Sequence, residues 1–193
     1  NEGPMANYKI GKATKREEDL RILRGRVRYL DDFKLYNMAR GHVLRSPHAH
    51  AEIKSIDVSV AKASPGVLLV LTGDDYLRRG LGTLLPMLAT KMSDGSDGFV
   101  TPQPLLATDR VRFVGEAVAF IVAETHAQAQ DAAELINVDY SPLPSVIRTE
   151  DASSPDSVTL WEGSPNNEAF FHAEGDADKV DKLIAAADHV VRH

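Results

Sequence analysis

Not one of the 193 residues is a cysteine, which removes disulfides, thiolate zinc sites, cysteine nucleophiles and iron–sulfur ligation from this chain. A cysteine-free chain can live in any compartment, so the absence says little about location. No apolar run approaches the ~20 residues of a membrane span. Nothing near the start has the form of a secretory signal. The resulting expectation is a cytoplasmic protein without a membrane span. An excess of one charge is also missing: 22 Lys and Arg face 28 Asp and Glu, for a formal net charge of −6. Both signs are mixed along the chain, which argues against nucleic acid and against anionic membrane as partners. There is no internal repeat and no heptad run. G-x-G-x-x-G, the P-loop, H-E-x-x-H and G-x-S-x-G are all absent.

What is present is ordinary globular material, 43% hydrophobic and 26% charged, long enough for one domain or one domain with a tail. The most informative stretch runs from Leu106 to Pro144. Val111–Phe113 reads as a short strand entry that Gly115 breaks where the backbone must turn. Ala117–Ala123 is a continuous apolar run, the pattern of a strand buried on both faces. Thr125 is a good N-cap for a helix to about Leu135, whose Ala127, Ala129, Ala132 and Ala133 let it lie close on a sheet. Ile136–Tyr140 alternates apolar and polar, a half-exposed strand stopped by Pro142 and Pro144. Strand, helix and strand with short links make one supersecondary unit.

Earlier in the chain, residues 1–5 read as an expression remnant ahead of the natural start near Met5. Residues 6–35 are basic, with Arg16, Arg21, Arg24, Arg26 and Arg28 over few apolar anchors, and are expected to form an extended arm docked on a neighbour. A phosphate-binding arm would want clustered lysines and aromatics, which are missing. Residues 36–148 form the expected core. Tyr36–Arg45 is a plausible strand with Gly41 as a bulge or close-approach point, and Ala51–Asp57 alternates as a half-buried strand. Asp57 caps a short helix, Val58–Ala63. Ser64-Pro65-Gly66 turns the chain into an apolar strand, Val67–Leu71, and Thr72–Asp75 opens a polar loop or helical turn. Leu77–Thr101 has no sustained period and is expected to be a long surface excursion. Residues 149–193 hold a connector at Ser153–Asn167, a possible strand at Ala169–His172, and a helix at Asp176–Ala187 with Val180, Leu183 and Ile184 on one stripe. His189–Val191 reads as the start of another strand. A chain that stops there suggests that His193 is a boundary rather than a natural terminus.

Candidate chemistry is thin. His48 and His50 form an H-x-H whose side chains would share one face of a strand and so could hold a metal. A competent site needs further ligands, and the competing reading is that Arg45, His48 and His50 make hydrogen bonds at a domain contact. Gly11, Gly25 and Gly41 are too scattered for a nucleotide loop, and Gly80-Leu81-Gly82 stands alone. Glu17-Glu18-Asp19, Asp31-Asp32 and Asp74-Asp75 are adjacent carboxylates, better explained as caps and solvated turns than as acid/base pairs. Glu116 is the tempting general base, but it is expected to tip a strand and contact the neighbouring domain. Ser46 and Ser64, each beside proline, read as turn residues.

Three segments carry a family resemblance. The first is V-R-F-V-G-E-A-V-A at 111–119, followed by A-E-T-x-A-Q-A-x-D-A-A-E-L-I-x-V-x-Y-x-P-L-P at 123–144. The second is Ile10-Gly11-Lys12 with Arg16, Glu18-Asp19, Leu23, Gly25, Tyr29 and Asp31-Asp32. The third is Arg45–Ala51 with Ile53, Ile56-Asp57 and Pro65-Gly66-Val67. In this order they resemble the N-terminal alpha/beta hammerhead domain of the molybdenum hydroxylase large subunits, the family of xanthine dehydrogenase, aldehyde oxidase and carbon monoxide dehydrogenase. The resemblance implies an α+β fold: a mixed sheet with two main helices, Thr125–Leu135 and Asp176–Ala187, and a β insertion. It implies a full subunit that carries molybdenum on molybdopterin or its cytosine dinucleotide and hydroxylates carbon, or oxidises carbon monoxide, with water as oxygen source. Implied partners are the C-terminal molybdopterin-binding domains, an iron–sulfur small subunit and a flavin medium subunit. In that family the cofactor and catalytic residues follow this domain, so no catalytic, cofactor-binding or metal residue is named here, and the segment alone is expected to be inactive. A chain starting directly at Ile10-Gly11 favours the carbon monoxide dehydrogenase or aldehyde oxidase type, with the substrate open. Two rivals remain: a stand-alone small binding module, and a metal-dependent hydrolase built on His48 and His50.

Overall fold

The computed structural model describes residues 16–85, 87–88, 90–164 and 166–191, so the expected remnant at residues 1–5 and the start of the arm lie outside the described residues. The chain divides into two compact units, Asn1–Met38 and Ala39–His193. In the described part of the first unit, α1 (Asp19–Leu23) is a single helical turn. Arg16 lies 3.7 Å from Glu18 and 3.8 Å from Asp19, acidic residues at the helix start. Gly25, at φ 63°, ends it: its amide reaches Ile22 O and the Arg26 amide reaches Arg21 O, a closure that a left-handed residue makes possible. A 3₁₀ turn follows at Leu30–Asp32. The arm is therefore not extended throughout, because the Arg16–Arg26 stretch closes its own local hydrogen bonds.

The second unit holds two three-stranded sheets. β1 (Arg40–Arg45), β5 (Ala117–Ala123) and β3 (Val67–Thr72) make the first, with β5 central. β4 (Arg110–Val111), β2 (Ala51–Asp57) and β6 (Asn137–Pro142) make the second, with β2 central. Every ladder is antiparallel. The α+β class is as expected, whereas the single mixed sheet is corrected to two antiparallel ones. β1 and β3 run the same way, but each bonds only to β5 between them. The expected strand–helix–strand unit also splits, because β5 and β6 enter different sheets with α4 (His126–Glu134) between them.

Packing explains the split. Ala119, Ile121 and Ala123 of β5 face Ala129, Ala132 and Ala133 of α4, with Ala61 of α2 (Ser59–Ala63), Val70 and Ile136 completing this core. Small residues let the helix lie low on the sheet. At the start of β5 the register slips: Leu44 pairs with Ala119, but Arg45 pairs with Ala117. The bulge leaves Val118 as the extra residue and re-aims it into a second core with Ala51, Ala107 and Val111. One strand thus serves both cores. Gly41 is a close-approach point, since a Cβ there would meet the Phe120 ring at 2.7 Å.

Elsewhere the expectations are mostly met at the element level. Thr72 and Asp75 form a capping box that starts α3 (Gly73–Arg78), so of the two readings, loop or helical turn, the helical one holds. Within 79–103 the described residues hold only isolated bridges, Leu84 with Gln103 and Lys91 with Asp97. Phe171 bridges Lys91, the one trace of the strand expected at Ala169–His172. α5 (Ala177–Ala185) starts at Asp176, whose side chain accepts the Lys179 amide. No strand forms at His189–Val191.

Candidate functional site

The Ser46–His50 segment is a bend between β1 and β2, not a strand, so His48 and His50 do not share a strand face. Ser46 is buried and organises the bend: its hydroxyl accepts the His48 amide at 3.0 Å and lies 3.1 Å from the His48 carbonyl. The Ser46 amide donates to Glu116 O, and the Gly115 amide to Ser46 O, tying the bend to the turn before β5. His50 is buried with Nδ1 2.7 Å from Pro144 O. The His48 ring instead packs on Tyr140 at 4.8 Å between centroids. Burial pushes the Tyr140 phenol up, an effect that a hydrogen bond with Ser46 partly offsets. The two histidines thus serve different neighbours. Among the described residues no group of three His, Asp or Glu is placed to hold a metal ion, which removes the basis for a hydrolase built on His48 and His50. Arg45 donates from Nη1 to Gly115 O at 2.8 Å, a bond within the second unit rather than at a domain contact.

The carboxylate pairs resolve into local turns. Asp32 accepts the Tyr29 amide at 2.8 Å, and Asp75 accepts the Thr72 amide and hydroxyl while pairing with Arg78 at 2.7 Å. These bonds, the Thr72 amide first, hold the Asp75 carboxyl below its usual range. Asp57 caps α2 through the Ser59 amide, and Ser64 returns its hydroxyl to Val60 O. Gly80 and Gly82 lie beyond α3 in irregular chain, with no strand before them and no helix after, which is no phosphate cradle.

Glu116 tips β5 as expected. The residue is turned inward, 8% exposed, and its carboxylate accepts the Arg112 amide at 2.5 Å. Burial pushes this carboxyl up, against the pull of that amide and of the Arg112 charge. Arg112 in turn lies over the Trp161 ring, 3.9 Å from its centroid, and donates from Nε to Leu160 O at 3.0 Å. Sequence reading missed this cluster, because nothing in spacing connects residues 48 apart.

The other feature is apolar. One face of the first sheet carries α4; the opposite face presents Val43, Leu71 and Phe120 to a cavity of about 270 Å³ that Tyr76, Leu81 and Leu105 help to close. Among the described residues its lining includes Arg79 and Tyr76 but no carboxylate, histidine or serine.

Residues 24–144 match the family described as the aldehyde oxidase and xanthine dehydrogenase a/b hammerhead domain. The chain belongs to this family. This hammerhead domain is 38% identical to the carbon monoxide dehydrogenase large chain of Afipia carboxidovorans, over 94% of this chain and 22% of that one. Among solved structures it resembles quinoline 2-oxidoreductase from Pseudomonas putida 86, with 44% identity, a TM-score of 0.65, and coverage of 76% of this chain and 18% of that chain. It also resembles a Cu,Mo-CO dehydrogenase, with 37% identity, a TM-score of 0.66, and coverage of 93% and 23%. The hammerhead domain thus spans about a fifth of the length of these relatives.

Proposed function

We propose that this hammerhead domain is a scaffold within the large subunit of a molybdenum-dependent oxidoreductase. The observation that carries the proposal is a family domain that spans a fifth of its relatives and leaves one sheet face apolar and uncovered, without a catalytic constellation beside it. The open face is the natural seat for the rest of the subunit. In the full enzyme, molybdenum on molybdopterin, taken here as the cytosine dinucleotide form, supplies the redox chemistry of hydroxylation with water as oxygen source. The described residues offer that group no ligand set, so its binding residues belong to the remainder of the subunit and no step runs through this chain. An iron–sulfur small subunit and a flavin medium subunit carry the electrons away, and the assembly is cytoplasmic. Its relatives are named for carbon monoxide, quinoline, nicotine, xanthine and aldehydes, and the substrate proposed is of one of these classes.

The test is intact-protein mass spectrometry of the native chain from its source cells, with molybdenum analysis of the same fraction. A chain several times heavier than 21.1 kDa that co-purifies with molybdenum is the expected result. A native chain of this size, free of molybdenum in every complex it enters, would overturn the proposal and leave a stand-alone hammerhead module.

A further inference from the structure

Residues 152–164 have the composition of a flexible connector, yet Asn167 and Glu168 tie several of their polar groups into one closed loop. Asn167 sits at φ 56° and works as a three-way tie. Its Nδ2 donates to Ala152 O at 2.9 Å and to Val158 O at 2.8 Å, and its Oδ1 accepts the Leu160 amide at 2.9 Å. Asparagine tolerates the left-handed backbone and carries both donors and an acceptor, so one side chain closes the loop on itself. Ser164, 3% exposed, sends its hydroxyl to Glu168 O at 2.8 Å, and its amide reaches Trp161 O. The loop is then fastened to the sheets by Arg112, which stacks on Trp161 and bonds Leu160 O. Behind Arg112 stands Glu116, whose backbone carbonyl holds Ser46.

We infer that residues 152–164 form a closed strap, not a linker, and that Arg112 is the clasp that fastens it to the hammerhead sheets. A guanidinium is needed because the contact is both a flat stack on the indole and a directed bond to a carbonyl; lysine supplies charge without the plane. The strap fixes where the chain leaves the sheets on its way to α5. This inference does not depend on the function proposed above.

Hydrogen exchange read by mass spectrometry on the full native chain tests it, comparing wild type with Arg112→Ala, Arg112→Lys and Trp161→Leu. In wild type, the amides of Leu160, Ser164 and Asn167 exchange far more slowly than in a free peptide. Arg112→Ala speeds them by about tenfold, the combined worth of one stack and one hydrogen bond, and Arg112→Lys and Trp161→Leu, which lose chiefly the stack, by about threefold, while the amides of Ala117–Ala123 keep their protection. Wild-type amides exchanging at free-peptide rates would overturn the strap. Unchanged strap amides in all three variants would overturn the clasp. Should Arg112→Ala also lose protection in β5, Trp161→Leu decides, since it removes only the stack and leaves Arg112 in place.

Discussion

Gly73 opens α3 hard against another part of the backbone. A Cβ at this position would lie 2.2 Å from Ala107 O and 2.8 Å from Thr108 Cα. Neither atom can rotate aside as a side-chain tip would, and Ala107 belongs to the second core. Gly73→Ala is therefore expected to cost about 1–3 kcal/mol by overpacking, read as a lower urea midpoint at unchanged slope. An unmoved midpoint would mean that the Ala107–Thr108 segment yields freely. Glu116 shows a different residue-scale effect. Burial raises its folded value above the ordinary one, so between the two the native state holds more protons than the unfolded chain. Stability then falls as pH rises through that window. Asp75 acts with the opposite sign: its depressed carboxyl contributes stability above the usual Asp value and loses it on acidification. The difference between wild type and Glu116→Gln isolates the first term. Glutamine keeps an acceptor for the Arg112 amide, so the variant should gain on wild type as pH rises from the ordinary glutamate value through the raised one of the folded state. Parallel midpoint curves would contradict that assignment.

At the scale of elements, α4 depends on its first turn. Its buried face is alanine, which contributes little area per residue, so the cap matters more than it would in a leucine-rich helix. The Thr125 hydroxyl accepts the Gln128 amide at 3.2 Å, and the Gln128 side chain accepts the Thr125 amide at 3.0 Å. Thr125→Ala should cost about 1 kcal/mol, and Thr125→Asp should restore most of it. Equal midpoints for the three would show that tertiary packing alone holds the helix. This cap was legible in the sequence because capping is local, as were β5 and β2, whose apolar run and alternation are properties of seven consecutive residues. The allocation of β5 and β6 to different sheets was not legible, since it depends on the bulge at Val118 and on partners 72 to 91 residues away. The same reason hides the Arg112–Trp161 stack. It also misled the reading of His48-Ala49-His50, where a strand was assumed and Ser46 instead bends the chain. Val190-Val191 has strand composition but no ladder, because composition supplies a strand's side chains and only a neighbour supplies its hydrogen bonds.

At the scale of the whole molecule, the described residues of the second unit are lopsided. α4 and α2 cover one face of the first sheet, while the other meets Leu81 and Leu105, each more than half exposed, around an apolar cavity. An uncovered apolar face of this kind favours association with whatever is present, and in a purified chain that is a second copy. The 193-residue chain is therefore expected to self-associate in a concentration-dependent way, measured by light scattering. Leu81→Glu with Leu105→Glu should shift it toward monomer, because both residues lie outside the strands and a buried carboxylate at the contact is costly. Thermal unfolding of the double variant should stay close to wild type, which separates lost association from lost fold. A wild-type chain that scatters as a monomer at high concentration would count against the open face as a docking surface. Association that survives both substitutions would move it elsewhere, and α5, whose Val180, Leu183 and Ile184 form another exposed apolar stripe, is the next candidate. A triple change there to polar residues, read by the same scattering, would then test that stripe.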